Sequence, residues 1–274
     1  MRIIVPIKQV PNSDEVQLDP RSGTLIRQGV EAIVNPLDLY AIETALNIRD
    51  EHGGEVIVIS MGPAQAAEAL REAISMGADE AVLLCDSAFA GSDTYATAYV
   101  LSTAIKRLGE YDLIICGERA TDGETGQVGP GIASFLNLPV ITYVSKIDEL
   151  IENHRKQGKH PEGIRVHRLI ETGYEIIEAD LPVVLSVVKE IAIPRLPTLA
   201  GKIRARNLQI PFWSASDLSI EENQAGLTGS PTKVIKIHKP CIVRKSEKIT
   251  VENEQSRQEA INRLISILQD KLLL

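Results

Sequence analysis

The sequence predicts an α/β domain built on a mainly parallel sheet, and three observations carry that prediction. Up to Val188, short apolar runs rich in Val and Ile recur, each of a length suited to a buried strand. Amphipathic stretches with helical spacing separate them, and strands joined through helices lie parallel with both faces covered. At 274 residues, 44% apolar and 24% charged, the chain is long enough to bury one large domain, or one domain with an appendage.

The strand candidates are residues 3–8, 55–61, 81–85, 113–116, 140–144 and 183–188. The first helix shows Ala41, Ile42, Ala45 and Leu46 on one face, following Asn35-Pro36-Leu37-Asp38. Asp38 is the expected N-cap, its carboxylate taking orphan backbone donors. Further helices are expected over residues 66–76, 94–106 and 128–136. A polar stretch at 152–163, with Arg168 and Tyr174 in alternating runs beside it, suggests a β-hairpin insertion. Beyond Ile191 the pattern breaks: Pro194, Pro197, Gly201 and Pro211 remove donors and period, so an ordered loop or arm is expected. The end of the chain recovers a helix whose stripe of Ala260, Ile261, Leu264, Ile265 and Leu268 needs a partner, either its own domain or another chain.

Composition excludes several classes. A net charge of -8 argues against nucleic acid as the main partner. No apolar run approaches the roughly 20 residues of a membrane helix, and the N-terminus begins as a strand, so a cytoplasmic protein is expected, not one integral to a membrane. Cys85, Cys116 and Cys241 lack metal spacing and read as buried thiols. His52, His154, His160, His167 and His238 fall in polar or terminal stretches and suggest no catalytic base; no metal site or catalytic residue is expected.

Ligands of open parallel sheets bind beyond the carboxyl ends of strands. There, after residues 113–116, runs Gly117-Glu118-Arg119-Ala120-Thr121-Asp122-Gly123-Glu124-Thr125-Gly126-Gln127-Val128-Gly129-Pro130 and then a helix. Glycines allow close backbone approach, and the helix N-terminus offers free amides, so the loop suits a phosphate; alternatively it only shapes the turn. It is neither a Walker A loop nor a Gly-x-Gly-x-x-Gly fingerprint. Asp122 and Glu124 would repel a phosphate directly and are expected to orient backbone or ribose hydroxyls.

Asn35-Pro36, Gly62-Pro63-Ala64-Gln65, the 117–130 loop, Leu181-Pro182-Val183-Val184 and Pro194-Arg195-Leu196-Pro197-Thr198-Leu199 occur in the order found in electron transfer flavoprotein β subunits, which the chain resembles over about 200 residues. The resemblance implies a Rossmann-like, doubly wound domain of the adenine-nucleotide-binding type over residues 1–191, a recognition loop over 192–207, and a C-terminal arm and helix over 208–274 packing on an α subunit that carries FAD. By position it implies nucleotide contacts at Pro6, Asn35, Pro36, Leu37, Asp38, Met61 and every residue from Gly117 to Val128; Arg119, Thr125 and Gln127 are the expected direct contacts. Asn35-Pro36 could instead be a plain helix-starting turn, and Met61 a core side chain. Leu199 aligns with the leucine that anchors a dehydrogenase partner, with Lys202, Arg204 and Arg206 either steering an acidic partner or forming a solvated stripe.

Phe89-Ala90-Gly91-Ser92-Asp93-Thr94 and residues 122–130 resemble electron-bifurcating, FixA-like β subunits, which hold a second FAD where housekeeping members hold AMP. Phe89 to Thr94 are therefore expected cofactor contacts, with Gly91, Ser92 and Thr94 placing hydroxyl and amide donors at a helix N-terminus where the pyrophosphate or ribityl chain of a longer nucleotide could reach them; Ser92 or Asp93 could instead be a simple N-cap. The bifurcating type implies NADH as donor, with ferredoxin and a flavin-linked dehydrogenase, acyl-CoA or hydroxy-acid type, as acceptors, and NADH oxidation only within the heterodimer. Outside this family, a stand-alone adenine-nucleotide sensor would also use the glycine-rich loop.

Overall fold

The computed structural model describes residues 1–12, 17–18, 25–26, 32–152, 161–235 and 246–270. The chain opens with β1 (Arg2–Pro6), two short antiparallel pairs formed by β2 (Gln9–Pro11) with β5 (Ala32–Val34) and β3 (Gln17–Leu18) with β4 (Leu25–Ile26), then α1 (Pro36–His52). There follow β6 (Glu55–Met61), α2 (Ala67–Met76), β7 (Glu80–Leu84), α3 (Thr94–Leu108), β8 (Leu113–Gly117) and α4 (Val128–Leu136). Next come β9 (Val140–Glu152), β10 (Pro161–Ile170), β11 (Gly173–Asp180) and β12 (Val183–Val187). The last elements are α5 (Leu199–Asn207), β13 (Phe212–Trp213), the short α6 (Gly226–Gly229) and α7 (Glu254–Asp270).

The main sheet has the order β11-β10-β9-β12-β8-β1-β6-β7-β13. The pairs from β9 across to β13 are parallel, and β10 runs antiparallel to both β9 and β11. This is the expected doubly wound α/β sheet, with β9, β10 and β11 forming a three-stranded antiparallel wing; of the polar stretch expected to form a hairpin insertion, residues 153–160 lie outside the described residues. Alternation along the strands divides the core. Ile3, Val5, Val56, Val58, Leu113 and Ile115 pack with α1 and α2 on one face; Ile4, Ile57, Ile59, Leu84 and Ile114 pack with α3 and α4 on the other. Each such Ile or Leu contributes about 1.5–3 kcal/mol by leaving water.

Four local readings change. Asp38 does not cap α1: Pro36 stands at the start, where its fixed φ suits helix and its missing N–H costs nothing, so the helix begins earlier with Asn35 in the cap position. Residues 199–207, expected to lack regular structure, form α5, because Thr198 Oγ1 accepts the Gly201 N–H at 2.9 Å and caps it. Gly201 is needed there, since a Cβ would stand 2.1 Å from the Ser75 carbonyl oxygen. Residues 208–235, expected in an arm on a partner, include β13 at the sheet edge; Leu218, Ile220 and Ala225 join the core beside α3, and Arg107 lies over the Trp213 ring at 4.8 Å. Cys116 is buried as expected, Cys85 is half-buried, and Cys241, His154, His160 and His238 lie outside the described residues.

The chain divides into two units, Met1–Lys236 and Ile237–Leu274. In the second, α7 buries none of its residues, its Ile261, Leu264 and Ile265 are exposed, and Arg263 pairs with Glu247 at 3.0 Å. Among the described residues no helix is long and apolar enough to cross a membrane.

Candidate functional site: a crevice at the sheet reversal

From β1 the chain winds through β6 and β7 in one direction, while β8, β12 and β9 lie on the other side of β1. Such a reversal leaves a crevice beyond the carboxyl ends of the two diverging strands, because their connections pass to opposite faces. The loops there are residues 7–8 after β1, the 35–38 turn, residues 62–66 after β6 and residues 117–127 after β8.

A buried polar knot ties three of them. Asn35 is fully buried, and its Nδ2 donates to Asp38 Oδ1 at 2.9 Å and to the Arg119 carbonyl at 2.9 Å. Its Oδ1 accepts the Thr121 N–H at 3.1 Å. Asp38 Oδ2 accepts the Lys8 N–H at 2.7 Å. Gly117 closes the knot: a Cβ on it would lie 2.3 Å from Asp38 Oδ1 and 2.9 Å from the Leu37 carbonyl. Burial pushes the Asp38 carboxyl up from 3.8 to about 7, against the lowering effect of its bonds to Asn35 and Lys8. Burial, with the Asp38 charge nearby, also pushes the Cys116 thiol up to about 12, so it stays protonated.

The exposed part of the loop is shaped differently. Glu124 and Gly126 take positive φ of 51° and 62°, and Glu124 N–H donates to the Ala120 carbonyl at 2.8 Å. Asp122, the acid expected to repel a phosphate, pairs with Lys8 Nζ at 2.7 Å, and Arg119 pairs with Glu118. The loop ends at α4, whose N-terminus has no side-chain cap and no acid in its first turn. Uncapped amides and the helix dipole make such an end favourable for an anion.

The neighbouring β7–α3 loop meets this one where Thr94 Oγ1 donates to Gln127 Oε1 at 2.9 Å. Phe89 is buried, Gly91 takes φ +75°, and Asp93 caps α3, accepting the N–H groups of Tyr95 and Ala96 at 3.0 Å. Of the residues singled out in the sequence, Pro6, Met61 and the 35–38 turn thus sit at strand ends around the 117–128 loop, with Met61 packed against the core. The side chains of Asn35, Asp38, Ser92 and Asp93 are bonded within the protein; Arg119, Thr125 and Gln127 are exposed. Sequence reasoning missed Lys8, although a lone cation directly after a central strand was visible.

The segment expected to dock a partner lies elsewhere. Ile193, Leu196 and Leu199 are 91, 85 and 77% exposed. Arg195, from its N–H and guanidinium, grips the buried Glu43 at 2.9 Å and also reaches Asp50 at 2.9 Å, fixing the segment to α1. Lys202, Arg204 and Arg206 are all exposed, and Arg204 also donates to the carbonyls of Ala78, at 2.8 Å, and Asp79, which ties α5 to the turn before β7.

An open, doubly wound sheet with its crevice at the strand reversal defines a Rossmann-like α/β protein. The electron transfer flavoprotein domain matches residues 22–218. The chain is 48% identical to the electron transfer flavoprotein subunit beta of Thermoanaerobacterium thermosaccharolyticum, covering 97% of this chain and 98% of that one. It is 44% identical to the caffeyl-CoA reductase-Etf complex subunit CarD of Acetobacterium woodii, covering 99% of each, and 43% identical to protein FixA of Azorhizobium caulinodans, covering 92% and 88%. The chain belongs to the electron transfer flavoprotein β-subunit family, in its FixA-like branch. Members are flavin-associated and pair with an α subunit, which displaces the reading as a stand-alone sensor.

Proposed function

We propose that this chain is the β subunit of an electron-bifurcating electron transfer flavoprotein that holds FAD in the crevice between β1 and β8. The open N-terminus of α4 carries the reading: of α1 to α4 it alone has neither a side-chain cap nor an acid in its first turn, and it ends a glycine-bearing loop in which Asp122 is paired with Lys8. It would receive the pyrophosphate. Bound FAD would accept a hydride from NADH and part with the electrons singly, one toward ferredoxin and one through the α-subunit flavin to a flavin-linked dehydrogenase of acyl-CoA or hydroxy-acid type. The protein's share is placement. Gly117, Asn35 and Asp38 hold the loop against β1, while Arg119, Thr125 and Gln127 stand exposed to meet the ligand. The names of the CarD and FixA relatives support a larger bifurcating assembly, and a cytoplasmic location suits those acceptors. Leu199, with Leu196 and Ile193, would dock the dehydrogenase; α7 and its exposed stripe would bind the α subunit.

Structural AMP is the second reading, and one observation favours it: Ser92 and Asp93, expected to reach a longer nucleotide, are bonded to the chain's own residues 226–232. Denaturing the purified heterodimer and counting released nucleotides separates the two. FAD from both subunits and no AMP is expected; AMP with FAD from the α subunit alone would make the protein a single-flavin shuttle.

A further inference from the structure

Residues 225–232 lie beyond the family match, which ends at residue 218, and no motif marks them in the sequence. They fold over the β7–α3 loop. Ala225 is fully buried in the core beside α3. The Gly226 N–H donates to Ser92 Oγ at 2.9 Å, and that hydroxyl donates to the Phe89 carbonyl at 2.8 Å. The Asp93 N–H donates to Ser230 Oγ at 2.8 Å. Asp93 Oδ2 accepts both the Thr232 N–H, at 2.9 Å, and the Thr232 hydroxyl, at 2.6 Å. Two glycines permit the approach: a Cβ on Gly226, at φ +61°, would stand 2.4 Å from the Ala88 carbonyl oxygen, and one on Gly91, 2.6 Å from Leu227 Cγ.

Asp93 therefore has two donors on each carboxylate oxygen, from Tyr95 and Ala96 on one and from Thr232 on the other. A carboxylate has about four acceptor positions, so none is left for a ligand. Its function must be to hold the loop. That loop forms the far wall of the crevice, because Thr94 at its end closes on Gln127 of the 117–128 loop. In the sheet, β7 stands three places from β8, a separation of about 14 Å at the usual strand spacing. Thr94 brings the end of the strapped loop to the α4 cap, while Phe89 to Ser92 lead back along the carboxyl edge toward β7; a ligand anchored at α4 meets that part only by extending along the edge, and a dinucleotide has the second half to do so.

We propose that Ser230 and Thr232 are positioning residues for the cofactor: the strap of residues 225–232, acting through Asp93, sets the 89–94 loop in the shape that admits a dinucleotide. The inference rests on the FAD reading above. Mononucleotide binding, confined to the 117–128 loop, does not depend on the strap.

The test uses the complete heterodimer, first analysed as wild type for its bound nucleotides and then freed of nucleotide at this site. Binding of FAD and of AMP is titrated for wild type, Thr232→Val, Thr232→Ser and Ser230→Ala. Loss of the hydroxyl bond to a carboxylate is expected to weaken FAD about tenfold in Thr232→Val, with AMP changed by less than about twofold. Thr232→Ser should restore FAD, and Ser230→Ala should reproduce the selective loss if Thr232→Val assembles poorly. Equal weakening of both nucleotides, or unchanged FAD binding, overturns the strap's role while leaving the FAD reading intact. A wild-type complex that releases AMP with a single FAD overturns the inference at its premise, before any variant is made.

Discussion

Two helices start at the same crevice, and they start in opposite ways. α3 begins under Asp93, whose carboxylate takes its first free amides and carries a full negative charge. α4 begins at Gln127 with no side-chain cap and no acid in its first turn. A capped N-terminus is stable by itself; an uncapped one leaves its amides to water or to a ligand. The contrast shows how one sheet edge separates two tasks. The end that is to hold an anion is left locally unfinished, and the end that only shapes the wall is completed by the protein, here with help from residue 232. α1 stands between the two: it has no side-chain cap, but Asp38 in its first turn is buried against the Gly117 loop.

The largest expected effect tests the acid of α1. Burial raises the Asp38 carboxyl from 3.8 to about 7, so between those values the folded protein holds a proton that the unfolded chain has released. Stability therefore is greatest below about pH 4 as far as this group is concerned, and falls as pH rises through 7, by at most on the order of 4 kcal/mol. Denaturant unfolding of the heterodimer at pH 5.5 and 8.5 should show the higher midpoint at the lower pH. In Asp38→Asn that difference should shrink, and overall stability should drop, because Lys8 and Asn35 donate to different carboxylate oxygens and an amide replaces one of these with a donor NH2. An unchanged pH dependence in the variant would mean that other groups set it and that Asp38 ionises normally.

Next in size is removal of the cap that makes α3 unlike α4. Asp93→Ala deprives Tyr95 and Ala96 of their acceptor and releases Thr232. A loss of about 2 kcal/mol is expected, at the upper end for N-caps because two further donors lose their partner. Thermal unfolding of wild type and variant measures it. A change below about 0.5 kcal/mol would show that α3 and α4 do not differ as argued.

What the sequence disclosed and what it hid follow from the range of the interactions. Apolar runs such as 55–61 and the helix at 128–136 were legible because burial imposes a local period, and the structure places β6 and α4 at those residues. The glycine-bearing loop was legible because glycines and a following helix adjoin in sequence. α5 was hidden: its stripe is short, and Gly201 reads as a breaker until Ser75 is seen against it. The knot of Asn35, Asp38 and Gly117 joins residues some eighty positions apart, and the strap reaches Asp93 from position 232. Polar contacts of that span leave no period, so residue types alone could suggest Asn35 or Asp93 as ligand contacts but not as braces.

The smallest effect asks whether the open end of α4 can be closed as α3 is closed. Gln127→Asp would place a carboxylate at the cap position, where it could take the amides of the first turn once residue 127 moves from its helical ψ of -19° to an extended one such as the -171° of Asp93 at α3. Two consequences of opposite sign follow. The helix itself should gain about 0.5–1 kcal/mol, since aspartate is among the preferred N-caps. A phosphate at the same amides would now meet a competing acceptor and a like charge, so nucleotide affinity should fall about tenfold, more at low salt than at high. The opposition makes the experiment decisive, because general damage to the fold would lower both quantities together. Nucleotide titration at two ionic strengths, set beside thermal unfolding of the nucleotide-free complex, reads the two effects separately. If Gln127→Asp stabilised the complex and left binding unchanged, α4 would be an ordinary helix without a cap, and the anion would have to be held by Arg119 and the loop backbone instead.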